Sequence, residues 1–241
     1  MTQIAVITPV PDVIETLIQN SILKKAVLND VIDLHIINLR DYGKGKYRQI
    51  DDAPYGGGSG MVMMAEPFFK AIDYAIELVG GVKGLEIIFP TPQGQTWNQK
   101  IAEKKSLIKK IIFICGHYKG IDERVIKKYV THEYSLGDFV MTNGEIPAMA
   151  MLDSLIRLIP GTLNKIDSAL TDSFTSDLLD HPHYTQPRKI DDMSVPNVLI
   201  SGHHAQIDSW RRIEKEKITM KKRPDIWEKF QKLKESEKSN E

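Results

Sequence analysis

The chain has 241 residues, 41% of them hydrophobic and 27% charged, the make-up of a globular protein with one large or two small domains and a substantial core. Lys plus Arg and Asp plus Glu number 32 each, which excludes a global electrostatic argument for nucleic acid and leaves any such site to local clustering. The single cysteine, Cys115, excludes an internal disulfide; with no apolar run near the roughly 20 residues that span a bilayer and no basic n-region before Ile4, a cytoplasmic protein without membrane contact is expected.

Ile4-Ala5-Val6-Ile7-Thr8 is short, apolar and rich in β-branched residues, the pattern of a buried strand. Pro9 and Pro11 end it, and Asp12 is placed to cap a helix whose apolar positions Val13, Ile14, Leu17 and Ile18 recur at helical spacing. A second strand is expected over 34–39, followed by a polar, turn-rich stretch over 40–52. In Pro54-Tyr55-Gly56-Gly57-Gly58-Ser59-Gly60-Met61, four glycines in five positions mark either a flexible surface loop or a backbone pressed close to something. It is not a Walker phosphate loop, and Met61 stands where the dinucleotide fingerprint needs its third glycine. Met61, Met63 and Met64 read as core filler.

Residues 65–78 are expected as a helix, 85–89 as a strand running into Pro90-Thr91-Pro92-Gln93-Gly94, and 96–105 as a second helix. A fourth strand over 111–115 ends at Gly116-His117-Tyr118-Lys119-Gly120, with a helix over 121–129 beyond it. Such alternation argues for a mostly parallel α/β sheet, in which ligands bind beyond the C-terminal ends of the strands. The stretch from Tyr134 to Pro147 fits neither a plain strand nor a plain helix. It reads as a turn at Gly137, a short buried piece Phe139-Val140-Met141, and a second turn at Gly144. Glu145 and Pro147 then open an amphipathic helix expected to run to Ile159. The loops 91–94, 116–120 and 136–144 all meet the positional condition and form one candidate site. The plain alternative for the third is a simple strand-to-helix connection.

Arg157 follows Asp153 at helical i,i+4 spacing, so it is either half of a surface pair or a positive charge offered to a site. Asp172 either caps a following short helix or acts as a proton acceptor on a mobile linker. Residues 162–179 are small and polar and are expected as that linker; 1–161 and 180–241 flank it as separate domains, the second mainly helical. Cys115 is expected in the core, not as a nucleophile. His181, His183, His203 and His204 invite zinc, but with no second cysteine, and with Pro182 between the first pair, no metal site is assigned. Between Trp210 and Arg223, the cations Arg211, Arg212, Lys215, Lys217, Lys221, Lys222 and Arg223 face only Glu214 and Glu216, which favours phosphate contact over a merely solvated face.

Taken together and in order, several motifs resemble the bacterial tRNA (guanine-N1)-methyltransferase family, TrmD. They are Asp51-Asp52-x-Pro54-Tyr55-Gly56-Gly57-Gly58-x-Gly60-Met61, Pro92-Gln93-Gly94, Cys115-Gly116-x-Tyr118-x-Gly120-Ile121-Asp122-Glu123-Arg124, Gly137-Asp138-x-Val140, Gly144-Glu145-x-Pro147-Ala148-Met149, Asp172-Ser173-Phe174 and Pro182-His183-Tyr184-Thr185. The resemblance spans almost the whole chain. It implies a SPOUT-type α/β domain with a deep trefoil knot, an exception to unknotted topology, and a small, mainly helical C-terminal domain that clamps the anticodon stem-loop of tRNA. It further implies a homodimer, S-adenosyl-L-methionine as methyl donor, methylation at N1 of the guanosine at position 37 just 3′ of the anticodon, and no DNA partner. A divalent ion such as Mg²⁺ is not readable from the residues.

Carried over by motif, Thr91, Pro92, Gln93, Gly94, Gly116, Tyr118, Leu136, Gly137, Asp138, Phe139, Val140, Met141, Gly144 and Pro147 would hold the donor. Asp172 would be the general base and Arg157 the charge near O6 of guanine; Asp52, Gly58, Gly60, Lys119, His183, Arg211, Arg212, Lys221, Lys222 and Arg223 would meet RNA. The chain departs from the family's usual residues at Lys119 for Glu, His117 for Arg, Ala53 for Arg, Ser59 for Pro and Asn143 for Gly. The alternatives are a knotted methyltransferase for another RNA position, and an RNA-binding homologue without catalysis.

Overall fold

Alternate residues of the first strand face opposite ways, and both ways lead into core. Ile4, Ala5, Val6 and Ile7 are all fully buried. Ile4 and Val6 belong to one apolar cluster, Ala5 and Ile7 to another. A strand covered on both faces in this way sits inside a three-layer α/β arrangement. The computed structural model describes residues 1–19, 22–163 and 171–238.

The chain divides into two compact units, Met1–Ile166 and Asp167–Glu241. In chain order the first begins with β1 (Thr2–Thr8), α1 (Pro11–Gln19), α2 (Ile22–Leu28) and β2 (Ile32–Asn38). The short antiparallel pair β3 (Asp51–Asp52) and β4 (Val62–Met63) follows, then α3 (Ala65–Leu78) and β5 (Leu85–Thr96). It closes with α4 (Gln99–Ser106), β6 (Lys110–Ile114), α5 (Glu123–Tyr129), β7 (His132–Ser135) and α6 (Glu145–Ile156). Five strands pair in the order β2-β1-β6-β5-β7, every pair parallel. One face carries α1, α2 and α6 through Ile14, Leu23, Ala26, Leu152 and Ile156; the other carries α3 and α5 through Phe68, Ala71, Ile72 and Val125. Each fully buried Ile or Leu contributes about 1.5–3 kcal/mol relative to an exposed one.

Several boundaries differ from those read in the sequence. Helix α1 starts at Pro11, so Asp12 lies inside its first turn instead of capping it, as the fixed φ of proline favours at that position. Helix α4 starts after Asn98, whose side chain accepts from the Ile101 N–H at 3.1 Å, so Thr96 ends a strand. Helix α6 ends at Ile156, not Ile159. The strand β7 has no counterpart among the expected elements. His132-Glu133-Tyr134-Ser135 shows no apolar alternation, because it is an edge strand hydrogen-bonded to β5 alone.

The second unit holds the antiparallel pair β8 (Lys189–Ile190) and β9 (Met193–Ser194), then α7 (His204–Lys222) and α8 (Pro224–Lys238). The segment after residue 170 is anchored on α7. The buried Thr219 accepts from the Leu179 N–H at 2.8 Å, and Lys215 donates to the Thr171 carbonyl at 3.0 Å. Of the linker expected over 162–179, residues 164–170 lie outside the described residues. The short helix that one of the two readings of Asp172 has it cap does not form, since residues 171–178 make turns and bends.

Candidate active site

Three connections meet at the C-terminal ends of β5, β6 and β7. The first is a bulge, not a free loop. Pro90 and Gln95 are both in register with Tyr134, so Thr91–Gly94 is thrown out of the sheet. A Cβ on Gly94 would lie 2.4 Å from the Tyr134 nitrogen, so no residue with a side chain fits there. The second connection, 116–120, is stitched to the segment around β4. The Lys119 N–H donates to Met61 O at 3.1 Å, Met63 N–H to Gly120 O at 3.0 Å, and His117 N–H to the Met63 sulfur at 3.0 Å. Tyr118 is held at φ +60°, a left-handed conformation that a non-glycine residue keeps only under constraint from its neighbours.

In the third connection, Ser135 accepts from the Gly137 N–H at 3.1 Å, and Gly144 donates to Gly116 O at 2.8 Å. Phe139 and Val140, expected as a short buried piece, are 55% and 86% exposed. Their physical environment is the rim of a cavity, not the core. That cavity, about 260 Å³, is enclosed by all three connections. Every residue carried over for the donor lines it except Gly94 and Asp138. No lining residue is acidic, and Lys119 contributes the permanent positive charge. Tyr134, 4% exposed, closes it beneath and packs edge-on against Trp97 at 5.0 Å. Asn143 also lines it, and its Oδ1 is buried with no hydrogen-bond partner among the described residues. Cys115 is fully buried, and burial followed by the charge of Glu145 pushes its thiol well above the usual range, so it is not a thiolate nucleophile.

The model of the family described as tRNA (Guanine-1)-methyltransferase TrmD matches residues 2–229. The chain belongs to this family. A tRNA (guanine-N(1)-)-methyltransferase of Clostridioides difficile strain 630 is 44% identical over 224 residues, covering 93% of this chain and 96% of that protein. One from Fervidobacterium nodosum is 45% identical over 229 residues, covering 95% and 91%. One from Staphylococcus epidermidis strain RP62A is 46% identical over 224 residues, covering 93% and 90%. A mixed α/β fold with a parallel central sheet agrees with membership of the TrmD family. No helix of the described residues is long and apolar enough to cross a membrane.

The remaining residues carried over from the TrmD family fall at separate places. Arg157 is the C-cap of α6 in the first unit; Asp172 is half-buried in the second, where its carbonyl accepts from the Thr175 side chain at 3.0 Å. Asp52 and the run Gly56–Gly60 are exposed beside β3 and β4. On α7 the basic stretch is more neutralised than the sequence count of two acids implied. Arg211 pairs with Asp208 at 3.1 Å, Arg212 with Glu216 at 3.6 Å, and Arg223 with Asp225 at 2.7 Å. Lys215 turns inward onto Asp180 at 3.1 Å. Among the described residues, Lys221 and Lys222 have no ionic partner.

Asp180, His181 and His183 bring one potential metal ligand each within 4.8 Å of one another. The carboxylate of Asp180 is already held by donors, with His183 Nε2 at 2.8 Å and Lys215 Nζ at 3.1 Å. Burial alone would raise this carboxyl; hydrogen bonds from His183, the His181 N–H and Lys215 outweigh it and hold it below the usual range. This cluster ties the segment after residue 170 to α7, and sequence spacing alone gave no sign of the Lys215 contact.

Proposed function

We propose that this protein methylates N1 of the guanosine just 3′ of the tRNA anticodon, with S-adenosyl-L-methionine as donor. The observation that carries this reading is the cavity formed by the residues 91–93, 116–120 and 136–144 beyond three parallel strands. Its lining fits the donor. Leu136, Phe139, Val140, Met141 and Pro147 offer apolar surface, the bulge and turns offer backbone groups, and Asn143 Oδ1 offers an unpaired acceptor. When bound, S-adenosylmethionine supplies an electrophilic methyl group on a sulfonium.

The protein's own residues must then make guanine N1 a nucleophile. The ring N1–H is a weak acid, so Asp172 takes its proton as general base, and Arg157 stabilises the charge that develops at O6. Asp172 is assembled as the base only when tRNA bridges both subunits, an induced-fit route to specificity. The reading includes a trefoil knot through the three connections, a cytoplasmic homodimer, and a C-terminal unit that grips the anticodon stem-loop.

The test is methyl transfer from labelled donor to unmodified tRNA transcripts with guanosine or adenosine just after the anticodon. Label in the guanosine transcript alone is the expected result. Equal label in both would move the target elsewhere.

A further inference from the structure

Glu145 is 0% exposed, yet it is a carboxylic acid at the first position of α6. Its Oε1 accepts from the Thr8 hydroxyl, and His117 Nε2 lies 2.8 Å from Oε2 and 2.9 Å from Oε1. The neighbouring thiol of Cys115 is neutral and offers no charge. No Lys or Arg pairs with Glu145 among the described residues. A buried carboxylate is tolerated only with a charged partner or a set of donors. The positive end of α6 and the Thr8 hydroxyl supply part of that, and His117 Nε2 lies within hydrogen-bond distance of both oxygens.

We infer that His117 is a positioning residue for the donor pocket, acting through the hydrogen bond between its Nε2 and Glu145; this rests on the reading of the cavity as the donor site. Three parts of the pocket's frame converge on this pair. Thr8 ends β1, His117 lies in the second connection, and Glu145 follows the third. His117 is also bridged through its backbone to Asn143, and its ring stands edge-on to Tyr118 at 6.1 Å. Both neighbours line the cavity. Removing that nitrogen leaves the buried carboxylate short of a hydrogen-bond partner and loosens the second connection from the third. Neither Asp172 nor Arg157 is touched, so the loss falls on donor binding and not on the methyl-transfer step.

The experiment measures S-adenosylmethionine affinity by calorimetry and steady-state kinetics with tRNA for the wild type, His117→Leu, His117→Gln and the double variant His117→Leu/Glu145→Leu, with melting temperatures as a control for folding. Leu removes the hydrogen-bonding nitrogen, so the donor Kd and KM should rise about tenfold while kcat at saturation holds. Gln keeps a hydrogen-bond donor and should bind within about twofold of wild type; the double variant, which removes both partners, should recover most of the loss. Wild-type affinity in His117→Leu, or a Gln variant as weak as the Leu variant, would overturn the positioning role. A wild-type protein that binds no donor would overturn the donor reading itself, and the inference with it.

Discussion

The Gly144 N–H donates to the carbonyl of Gly116 at 2.8 Å, and the two backbones are so close that a Cβ on Gly144 would stand 2.7 Å from the Gly116 nitrogen. The opposing atoms are main chain, which cannot swing aside as a flexible side chain would. The second and third connections of the cavity are thus locked by backbone contact as well as by the His117–Glu145 pair. Gly144→Ala should therefore destabilise the protein by about 2–3 kcal/mol, the cost of overpacking at a rigid contact. Its urea midpoint is the measure, and an unchanged midpoint would show that the two connections separate freely.

Exposure separates binding from folding at the rim. Val140 is 86% exposed and Phe139 55%, and both line the cavity. Val140→Ala and Phe139→Ala should leave the melting temperature within about 1 °C of wild type, because each buries little surface in the folded chain. Donor affinity should fall about three- to tenfold, since the truncated side chains cover less of the ligand's apolar surface. Calorimetric titration with S-adenosylmethionine checks this, and unaltered affinity would remove both residues from the donor site.

Asp172→Asn keeps the size and polarity of the side chain but not its basicity. Turnover should fall at least about 10²-fold, the usual contribution of a positioned base, while donor binding is retained. Single-turnover methyl transfer alongside donor titration distinguishes the two, and near-normal turnover would assign the base elsewhere.

The first unit has its own pH dependence. His132 stacks on Tyr134, and Lys105 Nζ sits 3.2 Å from its ring while pairing with Glu86 at 2.6 Å. Burial, then the Lys105 charge, lowers the His132 imidazole from its ordinary 6.5, with Glu86 opposing. The folded chain therefore binds fewer protons here than the unfolded one just below pH 6.5, so stability is full above that value and is lost as pH falls towards the lowered one. Urea midpoints at about pH 7.5 and about pH 5.5 should converge in His132→Gln compared with wild type. An undiminished difference would place the acid sensitivity in other groups.

On α7, pairing should grade the response to charge removal. Lys221 and Lys222 lack ionic partners among the described residues, whereas Arg211 and Arg212 are held by Asp208 and Glu216. Neutralising Lys221 and Lys222 to Ala should weaken tRNA binding more than neutralising Arg211 and Arg212. The salt slope should fall by about one for each phosphate that no longer meets a cation. The opposite ranking would move the RNA contact away from the end of this helix.

Much of this protein is local and could be read from neighbouring residues. The apolar run around Ile4–Ile7 marks a strand buried on both faces, the pattern over Ala65–Leu78 gives α3 with both its ends, and the glycine-bearing stretches 91–94, 116–120 and 136–144 point to one site. Those features depend on side-chain periodicity and on backbone freedom, which belong to short segments. The tertiary structure decided what depends on partners far away in the chain. It made His132–Ser135 an edge strand, put Phe139 and Val140 on a rim, turned Lys215 inward onto Asp180, and buried Glu145 against Thr8, 137 positions away. A carboxylate at a helix start looks the same in sequence whether it meets water or a histidine, because its solvation is set by which loops the fold brings over it.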